Sequence, residues 1–165
     1  MSDSRSTPPI GEDVDALVEA SSRSPRVIVV GLDVGELDRE GPQPSRNAAA
    51  YAAGLALREG TRLVGVWVRP RVAYGDTFAE TADTIARRRQ EAELELRERA
   101  AAAEQHFGLP PGCIIVRDGD PARELLNVVE EVDADGIIVG ASTERIGSVA
   151  GHLIRRARVP VTVVP

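Results

Sequence analysis

The feature that most constrains this chain is an alternation: from Arg26 onward, short apolar runs are separated by longer stretches with helical spacing. The short runs are "RVIVVGLD", "TRLVGVWV", "CIIVRDGD", "GIIVG" and "VPVTVV". They are rich in β-branched residues with little polar alternation, as in parallel strands covered on both faces. Between them lie "PSRNAAAYAAGLALREG", a long segment from about Phe78 to Phe107, "GDPARELLNVVEEVDADG" and "SVAGHLIRRAR". Strands that alternate with helices need right-handed crossovers. The pattern therefore predicts an α/β fold, a doubly wound, open parallel sheet of five strands with helices on both faces. Ligands in such sheets bind beyond the carboxyl ends of the strands, where the strand order reverses, so the loops starting at Gly31-Leu32-Asp33 and at Gly140 are the ones of interest.

Local signals place the helices. Ser45 is expected to cap the first, with Ala48, Tyr51, Ala52 and Leu55 on its buried stripe and Gly60 as its stop. The long segment puts Phe78, Ala82, Ile85, Ala92, Leu96, Ala103 and Phe107 on one side, leaving "RRRQE" as a solvated face. Asp120 and Pro121 suit the cap and first position of the next helix, which buries Leu125, Leu126, Val129 and Val132. Ser148 suits the cap of the last helix, and the arginines at its far end complement the helix dipole.

Composition narrows the function. A length of 165 residues allows one domain with a real core, and residues 1–25, rich in Ser, Pro and Asp, are expected to be a disordered or loosely docked tail to a domain over 26–165. The net charge of −6 repels nucleic acid and anionic lipid. No apolar run approaches the roughly 18 residues of a membrane span, and the first residues lack a signal-peptide core, so a cytoplasmic protein is expected. Cys113, the sole cysteine, heads the run "CIIV" and is read as a buried thiol. His106 and His152 have no partner at metal-ligand or catalytic spacing. With no nucleophile elbow, Walker lysine or paired-carboxylate motif either, no catalytic residue, no metal ligand and no enzyme activity is expected.

The segments "VIVVGLD", "YAAGLALREGTRLVGVWVRP", "GDPARELL", "ADGIIVGAS" and "GSVAGHLIRRARVPVTVVP" together resemble the universal stress protein family over most of residues 26–165. The resemblance implies the strand order 3-2-1-4-5, in a fold of the adenine-nucleotide alpha hydrolase-like type, and a homodimer built through the last strand. It also implies a nucleotide site. In nucleotide-binding members an Asp after the first strand faces the ribose or the metal-phosphate group, and Asp33 matches it. Their phosphate loop runs Gly, two residues, Gly, nine residues, Gly, then Ser or Thr. Gly140 matches its opening, Gly147 and Ser148 its close, and Val149 follows.

The departures from that loop matter. Six positions are missing between Gly140 and Gly147, and Thr143 stands where the middle glycine belongs. A phosphate cradle needs length for successive N–H groups to turn inward, and glycine where backbone must approach closely. Glu144 adds a charge that repels a polyphosphate, with an offset by Arg145 beside it as the alternative. Trp67 aligns where a small aliphatic residue touches adenine and is expected to fill that pocket, with stacking on a base as the alternative. "GELDREGPQPSR" after Asp33 is longer than the family's turn and is expected as an exposed flap beside the crevice, a lid being the alternative. Asp33 either braces its loop or holds ligand, and Ser148 both caps its helix and leaves N–H groups for an anion. The expected function is a non-enzymatic, dimerising stress-response module with a degenerate ATP loop and no resident cofactor. A sensor that binds ATP or AMP is the alternative, and a protein partner is the other implied contact.

Overall fold

The computed structural model describes residues 26–70, 82–141 and 147–165. The expected tail, Phe78 and the Thr143–Arg145 stretch lie outside them. Five parallel strands form one sheet in the order β3-β2-β1-β4-β5: β1 is Val27–Leu32, β2 Arg62–Arg69, β3 Ile114–Asp118, β4 Gly136–Gly140 and β5 Val161–Val164. The doubly wound class read from the alternation and the order implied by the resemblance are both observed. β1 is central. Its Val29 lies beside Val64 of β2 and Ile137 of β4, and all six of its residues are buried.

Two cores follow from the strand period of two. On one face Val27, Val29, Val66, Ile137 and Val139 pack against helix α3, Pro121–Glu131, and helix α4, Ser148–Arg156. On the other, Ile28, Val30, Leu32, Leu63 and Ile138 meet helix α1, Pro44–Glu59, and the end of helix α2, Ala82–Phe107. Each fully buried Val or Ile contributes roughly 1.5–3 kcal/mol of transfer free energy. Ala48, Ala49 and Ala52 are completely buried, and their small side chains let α1 lie close to the sheet.

Several local expectations need correcting. The cap of α1 is Gln43, with Pro44 at the first helical position, so Ser45 lies inside the helix and its hydroxyl is free for another partner. Tyr51 is exposed rather than on the buried stripe. The Gly60 stop is as expected: it takes the left-handed conformation at φ 65°, and its N–H donates to Ala56 O at 2.9 Å. In α3, Asp120 Oδ1 accepts from Arg123 N at 2.9 Å above Pro121, as its sequence predicts. Its fully buried stripe is Ala122, Leu125, Val128 and Val129, with Leu126 and Val132 partly buried beside it.

Helix α2 departs furthest. Of its expected stripe only Ala103 and Phe107 are buried, while Ala82, Ile85 and Ala92 are exposed. The reason is length: 26 residues of helix extend about 39 Å, whereas the eight-residue strand β2 spans about 26 Å. The first turns of α2 therefore overshoot the sheet. Where the helix does pack, buried Glu104 accepts from Gly112 N at 2.9 Å and Ile114 N at 3.1 Å, fixing the start of β3. Between those two residues Cys113 is half-buried, and desolvation, reinforced by the Glu104 charge, raises its thiol above the ordinary value of 9.0.

Candidate functional site

A cavity of about 520 Å³ opens beyond the carboxyl ends of β1 and β4, the position this topology favours. Asp33, Gly140, Gly147, Ser148 and Val149 all line it. Its walls combine the apolar Val66, Val68, Leu125 and Val139 with the polar Asp33, Glu36, Ser45 and Ser148.

The β1 side is built by a short 3-10 turn, Val34–Asp38. Asp33 caps that turn, its Oδ1 accepting from Gly35 N at 2.9 Å, while its Oδ2 pairs with Arg39. The Arg39 guanidinium is in turn held by its Nε, which donates to Gly35 O at 3.1 Å. Asp33 N donates to Ser45 Oγ at 2.9 Å, the partner that frees Ser45 from a capping role. Buried Glu36 accepts from Ser45 N at 2.9 Å and more weakly from Arg46 N at 3.4 Å, placing a carboxylate on the N-terminal end of α1. Val34 is fully buried, and Asp38 pairs with Arg99 of α2. Only the start of the segment expected as an exposed flap, residues 35–37, is thus held in the body, and residues 38–42 are exposed.

The β4 side depends on close approach. A β-carbon on Gly140 would lie 2.2 Å from Pro44 O, so only glycine lets the strand end pass under the first turn of α1. Gly147 is the cap of α4, with φ −65° and ψ 166°, and makes no side-chain capping bond. This corrects the reading of Ser148, which is the first helical residue and caps nothing. The first bond within α4 runs from Gly151 N to Gly147 O at 2.9 Å. The N–H groups of Ser148, Val149 and Ala150 have no acceptor within the helix and lie at its positive end, beside the cavity.

Trp67 is not in the cavity. The alternation of β2 sends Val66 and Val68 to the cavity side and turns Trp67 to the opposite core, packed with Leu32 and the α1 face. The expectation that indole fills or stacks in the pocket is therefore overturned. Sequence reasoning also missed Glu36, Arg39 and Ser45. The spacing Asp33-x-x-Glu36 is the one local signal for them, since an acidic cap followed three residues later by Glu marks a helical start.

A family model described as the universal stress protein family matches residues 25–165. The chain belongs to that family. The curated Universal stress protein G of Shigella flexneri is 30% identical over 146 residues, covering 84% of this chain and 98% of that protein. Among solved structures, a universal stress family protein from Burkholderia pseudomallei is 27% identical with a TM-score of 0.50, covering 84% of this chain and 95% of its own. One from Arabidopsis thaliana, solved with AMP bound, shares the fold at 20% identity and a TM-score of 0.52, with 85% and 91% covered.

Gly140, Gly147, Ser148 and Val149, which match the family's phosphate-loop pattern, thus line one cavity. Ala141 N, the first amide after Gly140, donates to Val164 O at 2.8 Å and is engaged in the sheet. Among the described residues no group of three or more His, Cys, Asp or Glu is placed to hold a metal ion, and no helix is long and apolar enough to cross a membrane.

Proposed function

We propose that this universal stress protein is a non-enzymatic, dimerising stress-response module whose cavity takes an adenine mononucleotide as its signal. Its shortened loop is degenerate for ATP. The reading is carried by the convergence of Asp33, Gly140, Gly147, Ser148 and Val149 on one cavity whose size suits a small ligand. The apolar wall of Val66, Val68 and Val139 offers a face for a base, and the three N–H groups at the start of α4, which have no acceptor within the helix, offer one anion position. A β- or γ-phosphate would need further amides from the loop, where six family positions are absent and Ala141 N already has an acceptor.

Dimerisation is assigned to β5. It is an edge strand, its four residues are only half-buried, and an unpaired edge invites a second copy. Asn47 Nδ2 donates to Pro165 O at 2.9 Å, holding the chain end against α1 so that this edge is presented in a fixed orientation. Calorimetric titration with AMP, cyclic AMP and Mg-ATP, run beside light scattering, tests both parts. Micromolar AMP binding with weaker ATP binding, on a dimer, is the expected result. Absence of AMP binding overturns the ligand assignment, and a monomer at micromolar concentration overturns the assembly.

A further inference from the structure

The charges of the cavity pose a problem for any anionic ligand. Two carboxylates, Asp33 and Glu36, belong to the lining, and no Lys, Arg or His among the described residues does. A carboxylate at the mouth of a partly apolar cavity repels an incoming anion, and Asp33, whose side chain is 57% exposed, stands at that mouth. Glu36 is compensated within the fold, because its oxygens accept from Ser45 N and Arg46 N at the positive end of α1. Asp33 has no helix end of that kind. One backbone N–H, that of Gly35, meets its Oδ1, and among the described residues the charge on its other oxygen is met by Arg39.

Arg39 is not a side chain that happens to swing past. Its Nε is anchored to Gly35 O at 3.1 Å, so backbone of the same turn that orients Asp33 also orients the guanidinium. Gly35 makes the room: a β-carbon there would stand 2.9 Å from Asp33 Oδ1 and 3.6 Å from Arg39 Nη2. Asp33 and Arg39 are the two caps of one five-residue turn, and Gly35 within it supplies the anchor and the clearance. Guanidinium suits this position because it stays charged at every physiological pH and offers several donors in one plane.

We propose that Arg39 is a positioning residue for the phosphate of the cavity's ligand: its pairing with Asp33 cancels the uncompensated charge at the mouth, so the anion binds without a divalent cation. The inference rests on the mononucleotide reading above and adds to it the metal-independence of binding and the residue responsible. Arg39 need not touch the ligand, since it acts through Asp33. Its effect therefore falls on charged ligands and spares the uncharged nucleoside.

The test is calorimetric titration of the full chain with AMP and with adenosine, each in EDTA and in magnesium, on the parent, Arg39→Gln and Arg39→Lys. Circular dichroism melts confirm that each variant folds. In the parent, AMP affinity is expected to be the same in EDTA and magnesium. Arg39→Gln is expected to weaken AMP binding about tenfold in EDTA, to leave adenosine unchanged, and to regain AMP binding in magnesium, while Arg39→Lys retains most of it. The inference is overturned if Arg39→Gln binds AMP like the parent, if Lys fails as badly as Gln, if adenosine falls in step with AMP, or if the parent itself requires magnesium. A parent that binds no nucleotide in either buffer overturns the underlying reading instead, and the two failures are distinguishable.

Discussion

The carbonyl oxygen of Pro44 occupies the space a β-carbon on Gly140 would need, at 2.2 Å. This contact sets the end of β4 against the start of α1, and so sets the distance between the two sides of the cavity. Gly140→Ala is expected to force the helix and strand apart at a point where both are backbone and neither rotates away. A destabilisation of about 1–3 kcal/mol is expected, as for other overpacked sites. Urea unfolding checks it, and a midpoint equal to the parent's counts against the close approach.

Glu36 ties the same region from the other side. Glu36→Ala leaves Ser45 N without its acceptor in a buried position, a loss of about 1–3 kcal/mol. Glu36→Gln keeps one carbonyl oxygen for Ser45 N and is expected to lose less. The ordering Ala worse than Gln worse than parent, read from urea midpoints, is the result that supports the capping role. Equal midpoints for the two variants would remove it.

Why these contacts were hard to read from sequence is a matter of range. Gly60 and the Asp120-Pro121 pair act on their own helix ends, through bonds three or four residues away, and are therefore legible as local patterns. The strand alternation is legible for the same reason, and the family motifs bring Asp33, Gly140, Gly147, Ser148 and Val149 to attention together. Glu36 and Ser45, nine residues apart, form a pair that no spacing rule specifies. Ser45 and Ser148 each sit next to a residue without a capping side chain, Pro44 and Gly147, and each cap lies on the N-terminal side of the serine the pattern favours. The apolar stripe of α2 was legible, but not the fact that the helix outruns the strand beneath it.

Cys113 gives a pH-dependent prediction. Burial raises its thiol above 9.0, so the folded protein holds the proton to higher pH than the unfolded chain does. A raised folded value contributes stability that is present below the unfolded value and is lost as pH rises through the folded one. Stability is therefore expected to be flat in this respect at neutral pH and to fall at pH above about 9. Cys113→Ser, whose hydroxyl does not titrate in this range, is expected to show a shallower fall. Reaction of the native thiol with a disulfide reagent should also be slow at pH 8 and quicken in urea; native reaction as fast as that of a free thiol refutes the burial argument.

The last prediction concerns the parity of β2, which decides what the cavity wall is made of. Because the strand is covered on both faces, it carries no polar alternation to say which residues face which layer, and a one-residue shift exchanges the two sets. The register Leu32 beside Trp67 puts indole with the α1 core and leaves Val66 and Val68 to the cavity. Trp67→Ala should therefore lower stability by about 2 kcal/mol, less than the full loss for a completely buried Trp, and leave AMP affinity within twofold of the parent. Val68→Trp should do the reverse, filling the cavity and abolishing AMP binding at modest loss of stability, since its position opens onto free volume. Urea midpoints and titrations on the two variants separate the effects, and loss of AMP binding in Trp67→Ala with an intact fold would show that the indole, not the valines, faces the ligand.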